Sequence, residues 1–275
     1  CYGHPELQTP NIDRLAAEGI KFENGYTTCP VCTPARGGIF TDSYPHTNGA
    51  WTNNMPLLQN IKTMGQRFSD NGYHSAYVGK WHLDGHDYFG MGICPEGWDK
   101  DYWYEAKNYL DDLSEEEVTL WRSGLKSIED LEENDITREF TFANHVSNKA
   151  IDFLQEANQE NEPFLLVVSY DEPHGPATCP PEYAKRFKDY QYPLGPGAFD
   201  DLKDKPEHQR LWADKGQYYR EDGYYHNPIF FGCNSFVDSE IGRVIDAVDR
   251  LTPDDTYIIY TSDHGDMMGS HGISS

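Results

Sequence analysis

No apolar run in this sequence approaches the ~20 residues that cross a membrane as a helix. A basic start followed by an apolar core, the pattern of a secretory signal, is missing too. The chain opens at Cys1-Tyr2-Gly3, so any export signal would precede it. The compartment therefore stays open, with a periplasmic or secreted location preferred over the cytoplasm.

Basic residues are also scarce. The chain has 22 Lys and Arg against 46 Asp and Glu, which gives a formal net charge of -24 at pH 7. The resulting field repels polyanions, so nucleic acid is not expected as a partner. A small or sugar-borne anion could still bind where a few cationic side chains and a metal converge. The acidic residues concentrate at 111–135, where we expect a solvated helical surface.

Cysteines are too few and too scattered for a disulfide-stapled scaffold. Two of the six, Cys29 and Cys32, form a CxxC unit, which can be a redox pair or half of a zinc site. A redox pair should open a long helix, but Pro34 and Gly37 interrupt the segment that follows. A second CxxC, which would complete a zinc site, is missing from the sequence.

The composition instead indicates one α/β domain over residues 1–275. With 37% hydrophobic and 14% aromatic residues, the chain can bury a sizeable core. Apolar periodicity predicts helices at 9–19, 61–71, 137–159 and 236–251, and strands at 20–26, 74–78, 164–168 and 256–260. The Pro-, Gly- and Tyr-rich span 190–225 is expected to be largely loop. The alternation predicts a mostly parallel central sheet sandwiched by helices.

Polar clusters follow three of these predicted strands. Lys80 and His82 follow the second, His174 follows the third, and Asp263 and His264 follow the fourth. The carboxyl ends of parallel strands meet at one sheet edge, so these five side chains are predicted to line a single cleft. Each has a simpler explanation alone, since Asp-His before Gly is ordinary turn chemistry and a lone histidine often only bonds a carbonyl.

The segment Cys32-Thr33-Pro34-Ala35-Arg36 places a potential nucleophile in a turn beside a permanent cation. Together with the oxygen and nitrogen ligands of Asp263 and His264, it indicates a metal-assisted hydrolase for an anionic ester.

These residues resemble the sulfatases of the alkaline phosphatase superfamily. The resemblance lies in four motifs in the family's order: Thr9-Pro10-Asn11-Ile12-Asp13-Arg14-Leu15-Ala16, the CxPxR signature at Cys32 to Arg36, Gly79-Lys80-Trp81-His82-Leu83, and Ser262-Asp263-His264-Gly265. Ala35 stands where serine is commoner, and Asp84 stands where glycine is frequent. In this family the signature cysteine is oxidised after translation to formylglycine.

The resemblance also implies parts that this chain lacks. An Asp-Asp pair of metal ligands normally ends a first strand just before the position of Cys1, and a late lysine would lie beyond Ser275. Both gaps, and the absent small C-terminal subdomain, lead us to expect the middle of a longer enzyme, truncated at both ends.

The resemblance assigns a role to each candidate residue. The hydrated aldehyde made from Cys32 would attack sulfur with one hydroxyl, and its second hydroxyl would drive the elimination of sulfate. Arg36 would hold the formylglycine, and Lys80 would bind a sulfate oxygen. His82 would take a proton from the second hydroxyl, and His174 would protonate the departing alcohol.

The resemblance further implies a divalent metal, held by Asp263, His264 and the group made from Cys32. Oxygen-rich coordination favours Ca²⁺, and the nitrogen of His264 makes Mn²⁺ the alternative. The expected partners are a sulfated small molecule or glycan, favoured by the many aromatic residues, and a formylglycine-generating maturation enzyme.

Two other functions remain open at this stage. Relatives with the same nucleophile and metal pair hydrolyse phosphonate or phosphate esters. A degenerate member that only binds anions would be expected to have lost the signature, whereas Cys32, Arg36, Lys80, His82 and His174 are all present.

Overall fold

The computed structural model describes residues 1–160, 162–216, 223–252 and 256–273. The α-helices are α1 (Pro10–Glu18), α2 (Cys32–Thr41), α3 (Pro45–Asn48), α4 (Met64–Ser69), α5 (Ala106–Asp112), α6 (Glu115–Ser123), α7 (Ile128–Glu133), α8 (Phe142–Glu160), α9 (Pro181–Lys185), α10 (Glu207–Gly216) and α11 (Pro228–Leu251). The strands are β1 (His74–Gly79), β2 (Phe164–Ser169), β3 (Tyr192–Pro193) and β4 (Tyr224–Tyr225), and 3-10 turns span Arg138–Phe140, Pro196–Phe199 and Ser270–Gly272. The described part of the chain holds no helix long and apolar enough to span a bilayer.

The centre of the fold is a parallel pair of strands. β1 pairs with β2 in a register that sets Val78 opposite Val168. On the other side of β1, Tyr104 forms a parallel bridge to Val78. β2 is a short apolar run that includes Val167 and Val168, and β1 contributes Tyr77 and Val78; β-branched and aromatic side chains pack well on a pleated surface. β3 and β4 form a separate antiparallel pair.

Helices cover both faces of this sheet. Successive side chains of β1 point to opposite faces, so neighbouring residues of the strand pack against different helices. Val78 packs in a buried cluster with Phe142 and Val146 of α8. Tyr77 packs in a different cluster with Phe40 of α2 and Trp81. This layering confirms the predicted α/β architecture.

Most of the predicted elements that flank the site are confirmed, with shifted ends. β1, β2, α1, α8 and α11 all lie where the apolar periodicity places them. Helix α8 begins at Phe142 rather than at 137, because the Thr141 hydroxyl accepts the Asn144 N–H at 3.3 Å and caps the first turn. Helix α4 is confined to Met64–Ser69 by a capping box between Thr63 and Gln66.

The predicted strands at 20–26 and 256–260 are wrong. Neither segment is a strand, and Ile20 and Ile259 are 84% and 87% exposed. A strand forms only where a neighbour takes its backbone hydrogen bonds. In the part of the chain that the structure describes, neither segment belongs to a ladder. An apolar run in the sequence is therefore not sufficient for a strand to form in these two segments.

The prediction of a largely looped segment at 190–225 is also wrong in part, because helix α10 lies within it. Proline and glycine concentrate before Glu207, whereas the start of α10 holds good helix formers such as Leu211. The predicted positions 217–222 lie outside the described residues. At 111–135, the expected exposed acidic surface is confirmed on α6 and α7, whose first turns carry Glu115 and Glu129.

Candidate active site

Cys32 is the first residue of helix α2 and is buried, at 7% exposure. The positive end of the helix dipole therefore lies at this side chain. Its Sγ lies 3.1 Å from Nε2 of His264 and 3.8 Å from Nζ of Lys80. Two nitrogen groups from distant parts of the chain thus converge on the sulfur.

These neighbours determine the ionisation of the thiol. Burial raises the pKa of Cys32, but the hydrogen bond with His264 and the charge of Lys80 outweigh it, so the pKa lies below its usual value. The same hydrogen bond raises the pKa of His264 to about 9. Both shifts act in the direction of a thiolate beside an imidazolium in the unmodified pair.

Asp263 is adjacent to this pair and contacts Arg36, with Oδ2 3.4 Å from Nη1. Burial raises the pKa of Asp263, but the charges of Arg36 and His264 outweigh it and hold the pKa below its usual range. Ligand atoms of Cys32, Asp263 and His264 all lie within 4.8 Å of one another. The predicted strand before Asp263 is absent, yet both residues of the late motif still reach Cys32 and Arg36.

The donor set fits part of a divalent-cation site. One carboxylate oxygen and one imidazole nitrogen suit Ca²⁺ poorly alone, since Ca²⁺ takes about six to eight oxygen ligands. Three clustered ligand atoms are therefore a partial shell, to which further oxygen ligands must be added.

Arg36 forms hydrogen bonds with several of the buried groups around the site. It is buried, and its guanidinium donates from Nε to the carbonyl of Trp81 at 2.9 Å and from Nη2 to the Tyr77 hydroxyl at 2.6 Å and Ser169 Oγ at 2.7 Å. It also donates to the carbonyl of Lys80. Arg36 therefore ties helix α2 to the carboxyl ends of β1 and β2.

The turn after β1 depends on Gly79. Its φ is +108°, a region that other residues rarely adopt, and a Cβ there would lie 1.8 Å from the carbonyl oxygen of Ser169. This close approach lets Lys80 N–H donate to the same carbonyl at 2.9 Å. The Lys80 side chain then extends to Asp171, with Nζ 2.8 Å from Oδ1.

His82 is also buried, at 3% exposure, and has a left-handed backbone with φ 56°. Its Nε2 lies 2.8 Å from Oδ1 of Asn54, and its carbonyl accepts the Thr33 hydroxyl at 3.0 Å. Burial and then the charges of Lys80 and Arg36 lower the pKa of His82 to about 4. The ring is therefore neutral at neutral pH, with a lone pair on one of its nitrogens.

Which nitrogen carries the lone pair follows from the hydrogen bond. Because the amide oxygen of Asn54 accepts, Nε2 carries the proton and Nδ1 carries the lone pair. Within the described residues, the buried Nδ1 has no hydrogen-bond partner. This buried nitrogen is suited to accept a hydrogen bond from the hydroxyl of a group bound at the site.

His174 lies at the more open side of the site, with its side chain 38% exposed. Its Nδ1 lies 2.8 Å from the carbonyl of Gly175, which fixes that nitrogen as the donor. Asp171 Oδ2 lies 4.0 Å from the same nitrogen. The ring of Tyr88 packs against the imidazole, with centroids 4.6 Å apart.

Contacts therefore link the residues singled out from the sequence. One chain of contacts runs from His264 through Cys32 and Lys80 to Asp171 and His174. Asp263 joins through Arg36, and His82 joins through Thr33.

Several side chains that hold these groups were not among the predicted site residues: Asn54, Tyr77, Tyr88, Ser169 and Asp171. Asp171 carried a usable signal, since it lies two residues after β2 in the cluster that contains His174. Asn54 and Tyr88 lie in loops without a motif, and nothing in the sequence marks them.

The chain matches the Sulfatase family model over residues 1–274. A protein of Escherichia coli (strain K12) named uncharacterized sulfatase YidJ is 56% identical over 276 residues, which cover 100% of this chain and 56% of the relative. The Ulvan-active sulfatase of Formosa agariphila is 28% identical over 98% of this chain and 48% of its own length. The chain thus spans about half the length of these curated relatives.

The fold is similar to that of solved structures. The phosphonate monoester hydrolase of Agrobacterium radiobacter matches with a TM-score of 0.70 at 20% identity, over 99% of this chain and 61% of that one. At this identity the likeness concerns the fold alone. Because the family model matches residues 1–274, the chain belongs to the sulfatase family, and its parallel sheet agrees with the α/β fold of the alkaline phosphatase superfamily.

Proposed function

We propose that the chain is the catalytic part of a sulfuric ester hydrolase whose nucleophile is made from Cys32. One observation carries the proposal. The motif cysteine begins helix α2 between Lys80, 3.8 Å from its sulfur, and His264, 3.1 Å from it, with Asp263 in the same cluster. A sulfate ester is negatively charged, so it needs both an activated nucleophile and neutralising groups at one point.

The formylglycine at position 32, once formed and hydrated, supplies one hydroxyl to attack sulfur and a second that allows sulfate to be released. Two observations support a formylglycine at this position: Cys32 is buried, and among the described residues Nδ1 of His82 has no hydrogen-bond partner. Neutral His82 then accepts the proton of the second hydroxyl.

Lys80 neutralises a sulfate oxygen. Its ammonium is buried between the Cys32 sulfur and Asp171, so it acts as a fixed point cation at the reacting end of the substrate. Arg36, already bonded to Tyr77, Ser169 and Asp263, orients α2 and the metal ligand Asp263.

His174 protonates the departing alcohol. When the sulfur–oxygen bond to the alcohol breaks, its electron pair stays on the alcohol oxygen, which needs a proton unless the alcohol is acidic. Nδ1 of His174 is engaged with Gly175, so Nε2 of the protonated ring is the donor.

A divalent metal, when bound, acts as a Lewis acid on sulfate and on the group at position 32. Asp263 and His264 would hold it, together with the oxygen that replaces the Cys32 sulfur. We propose Ca²⁺, with Mn²⁺ as the alternative.

We further propose a sulfated carbohydrate as the substrate. Support comes from relatives: a fold neighbour was solved with D-glucosamine-2-N,6-O-disulfate as its substrate, and a curated relative of Bacteroides thetaiotaomicron is named N-acetylglucosamine-6-O-sulfatase. The competing substrate class is a phosphonate monoester, as in the hydrolase of similar fold. Comparing hydrolysis of a sugar sulfate and a phenyl phosphonate by one preparation decides between them.

The experiment that tests the nucleophile uses full-length protein expressed with a formylglycine-generating maturation enzyme. The mass of the peptide that contains position 32 should show an aldehyde in place of the thiol, and the preparation should hydrolyse a sulfate ester. Cys32→Ala should lose turnover and keep the thermal midpoint. An intact thiol in an active preparation would sink the proposal.

Cys29 offers a matched control, because it lies three residues before Cys32 and outside the motif. Cys29→Ala should keep both the aldehyde and the activity. An equal loss in the two variants would instead assign the effect to the CxxC pair, and so to redox chemistry.

A further inference from the structure

The general acid assigned above is weakly held by hydrogen bonds. His174 has a side chain that is 38% exposed, and its Nδ1 bonds to the carbonyl of the next residue, Gly175. Asp171 is at 4.0 Å from Nδ1, beyond a hydrogen bond. Among the residues that the structure describes, this local hydrogen bond leaves the tilt of the imidazole free, so a further contact is needed to hold the plane of the ring.

That contact is the ring of Tyr88. Its centroid lies 4.6 Å from that of His174, with the planes inclined at 49°. On the same ring, the ammonium of Lys80 lies 5.9 Å from the centroid. Aromatic rings at this separation attract each other beyond the effect of the area that they bury. Tyr88 therefore contacts both the proposed acid and the proposed sulfate-binding cation.

The loop that carries Tyr88 is anchored on both sides. Asp84 Oδ2 accepts the Met91 N–H at 3.0 Å, and the next glycine, Gly92, donates to the buried Glu105 at 2.6 Å. The neighbouring Phe89 packs on Trp121, with centroids 5.5 Å apart. Because these contacts hold the loop in place, the ring of Tyr88 has a fixed position against which another side chain can pack.

We propose that Tyr88 is the positioning residue for His174: its ring holds the imidazole so that Nε2 faces the alcohol oxygen of the substrate. The inference rests on the proposed function, because it assigns Tyr88 to the acid step of that reaction. It also concerns specificity, since only esters of poorly acidic alcohols, such as sugar alcohols, need this proton.

The kinetic test compares a sugar or alkyl sulfate with 4-nitrophenyl sulfate in the full-length enzyme. Tyr88→Ala should lower kcat on the alkyl ester at least about tenfold more than on the nitrophenyl ester, with little change in KM. Tyr88→Phe keeps the ring and should keep the rate on both. Adding Tyr88→Ala to His174→Ala should cause no further loss, because the two residues act as one unit.

A chemical test measures the contact without turnover. Diethyl pyrocarbonate modifies exposed imidazoles, and the mass of the peptide gives the rate at each histidine. Tyr88→Ala should speed the modification of His174 several-fold and leave His46 unchanged. The chain supplies a matched control, because Tyr44 stacks on His46 with centroids 5.7 Å apart. Tyr44→Ala should speed only His46 and should not separate the two esters.

The outcomes are distinct. An unchanged rate of His174 modification in Tyr88→Ala overturns the inference, as does an equal loss of kcat on both esters or a loss in Tyr88→Phe as large as in Tyr88→Ala. If wild-type enzyme hydrolyses neither sulfate ester, the proposed function fails, and the modification rates alone still decide whether Tyr88 holds the ring.

Discussion

Lys80 and Asp171 form an ion pair that is almost completely removed from water. Nζ lies 2.8 Å from Oδ1, and the two side chains are 5% and 6% exposed. Asp171 therefore balances the charge that the proposed mechanism directs at sulfate, and it keeps Lys80 within 3.8 Å of the Cys32 sulfur.

The first prediction concerns this pair. Asp171→Asn leaves the buried ammonium without its counter-charge, and breaking a buried pair in this way costs about 3–5 kcal/mol. Urea unfolding of the full-length protein should show a loss of that order. Arg14 and Asp246 are a matched control at 2.7 Å, with side chains 37% and 62% exposed. Asp246→Asn should cost less than about 1 kcal/mol. Similar losses in the two variants would contradict the importance of burial.

The second prediction concerns the proposed acid. His174→Ala should lower turnover of an alkyl or sugar sulfate by about 10²–10⁴-fold, and turnover of 4-nitrophenyl sulfate far less, because nitrophenolate leaves without a proton. Steady-state kinetics on both esters measures the difference. His46→Ala, at an exposed histidine outside the site, should lower neither rate. Equal losses on the two esters in His174→Ala would rule out the acid role.

The third prediction concerns the metal. Chelation should inactivate the full-length enzyme, and Ca²⁺ should restore activity better than Mn²⁺. Asp263→Asn should weaken Ca²⁺ binding at least about tenfold in calorimetric titration of metal-free protein. Asp266→Asn is the control, since Asp266 accepts the backbone N–H of Met268 and lies outside the ligand cluster. Restoration by Mn²⁺ alone would overturn the choice of Ca²⁺.

The fourth prediction concerns pH and Glu172. Burial, the largest effect, raises the pKa of this carboxyl from 4.5 to about 7, although its Oε1 accepts the Ala143 N–H at 2.9 Å. Below pH 4.5 the carboxyl is protonated in both the folded and the unfolded chain, and its contribution to stability is fully present. As pH rises to about 7, the unfolded chain ionises first, so the free energy of unfolding falls by about 3 kcal/mol.

Glu172→Gln removes this dependence. The stability of the variant relative to wild type should therefore rise between pH 4.5 and 8, as measured by urea unfolding across that range. Glu117 is a control of opposite sign, because backbone and side-chain hydrogen bonds from Ser114 lower its pKa. The stabilisation by the Glu117 carboxylate is fully present above the usual pKa of glutamate, and it is lost as pH falls through the lower pKa of the folded chain. A pH-independent difference for Glu172→Gln would contradict the shift.

The two wrong strand predictions have one physical cause. The segments 20–26 and 256–260 have the apolar composition of strands, but a strand exists only when another backbone takes its hydrogen bonds. Such a partner is a property of the assembled sheet. In β1 and β2 the same composition gave correct strands, because each provides the other's partner.

The sequence by itself was enough to select the candidate reactive residues, because these residues lie in short contiguous motifs. Cys32 and Arg36 are one helical turn apart, and Lys80 and His82 lie in the turn that follows β1, so their types and spacing are readable without a fold. The family assignment rests on a match that extends over residues 1–274.

Only the tertiary structure decided which groups hold the reactive ones in place. His264 reaches Cys32 across 232 residues, and Asn54 reaches His82 across 28. Tyr88 contacts His174 across 86 residues, because the loop that carries Tyr88 packs against the segment that follows β2. The sequence motifs had already brought His264 and Cys32 together, whereas the contacts of Asn54 and Tyr88 depend on the packing of loops that carry no motif.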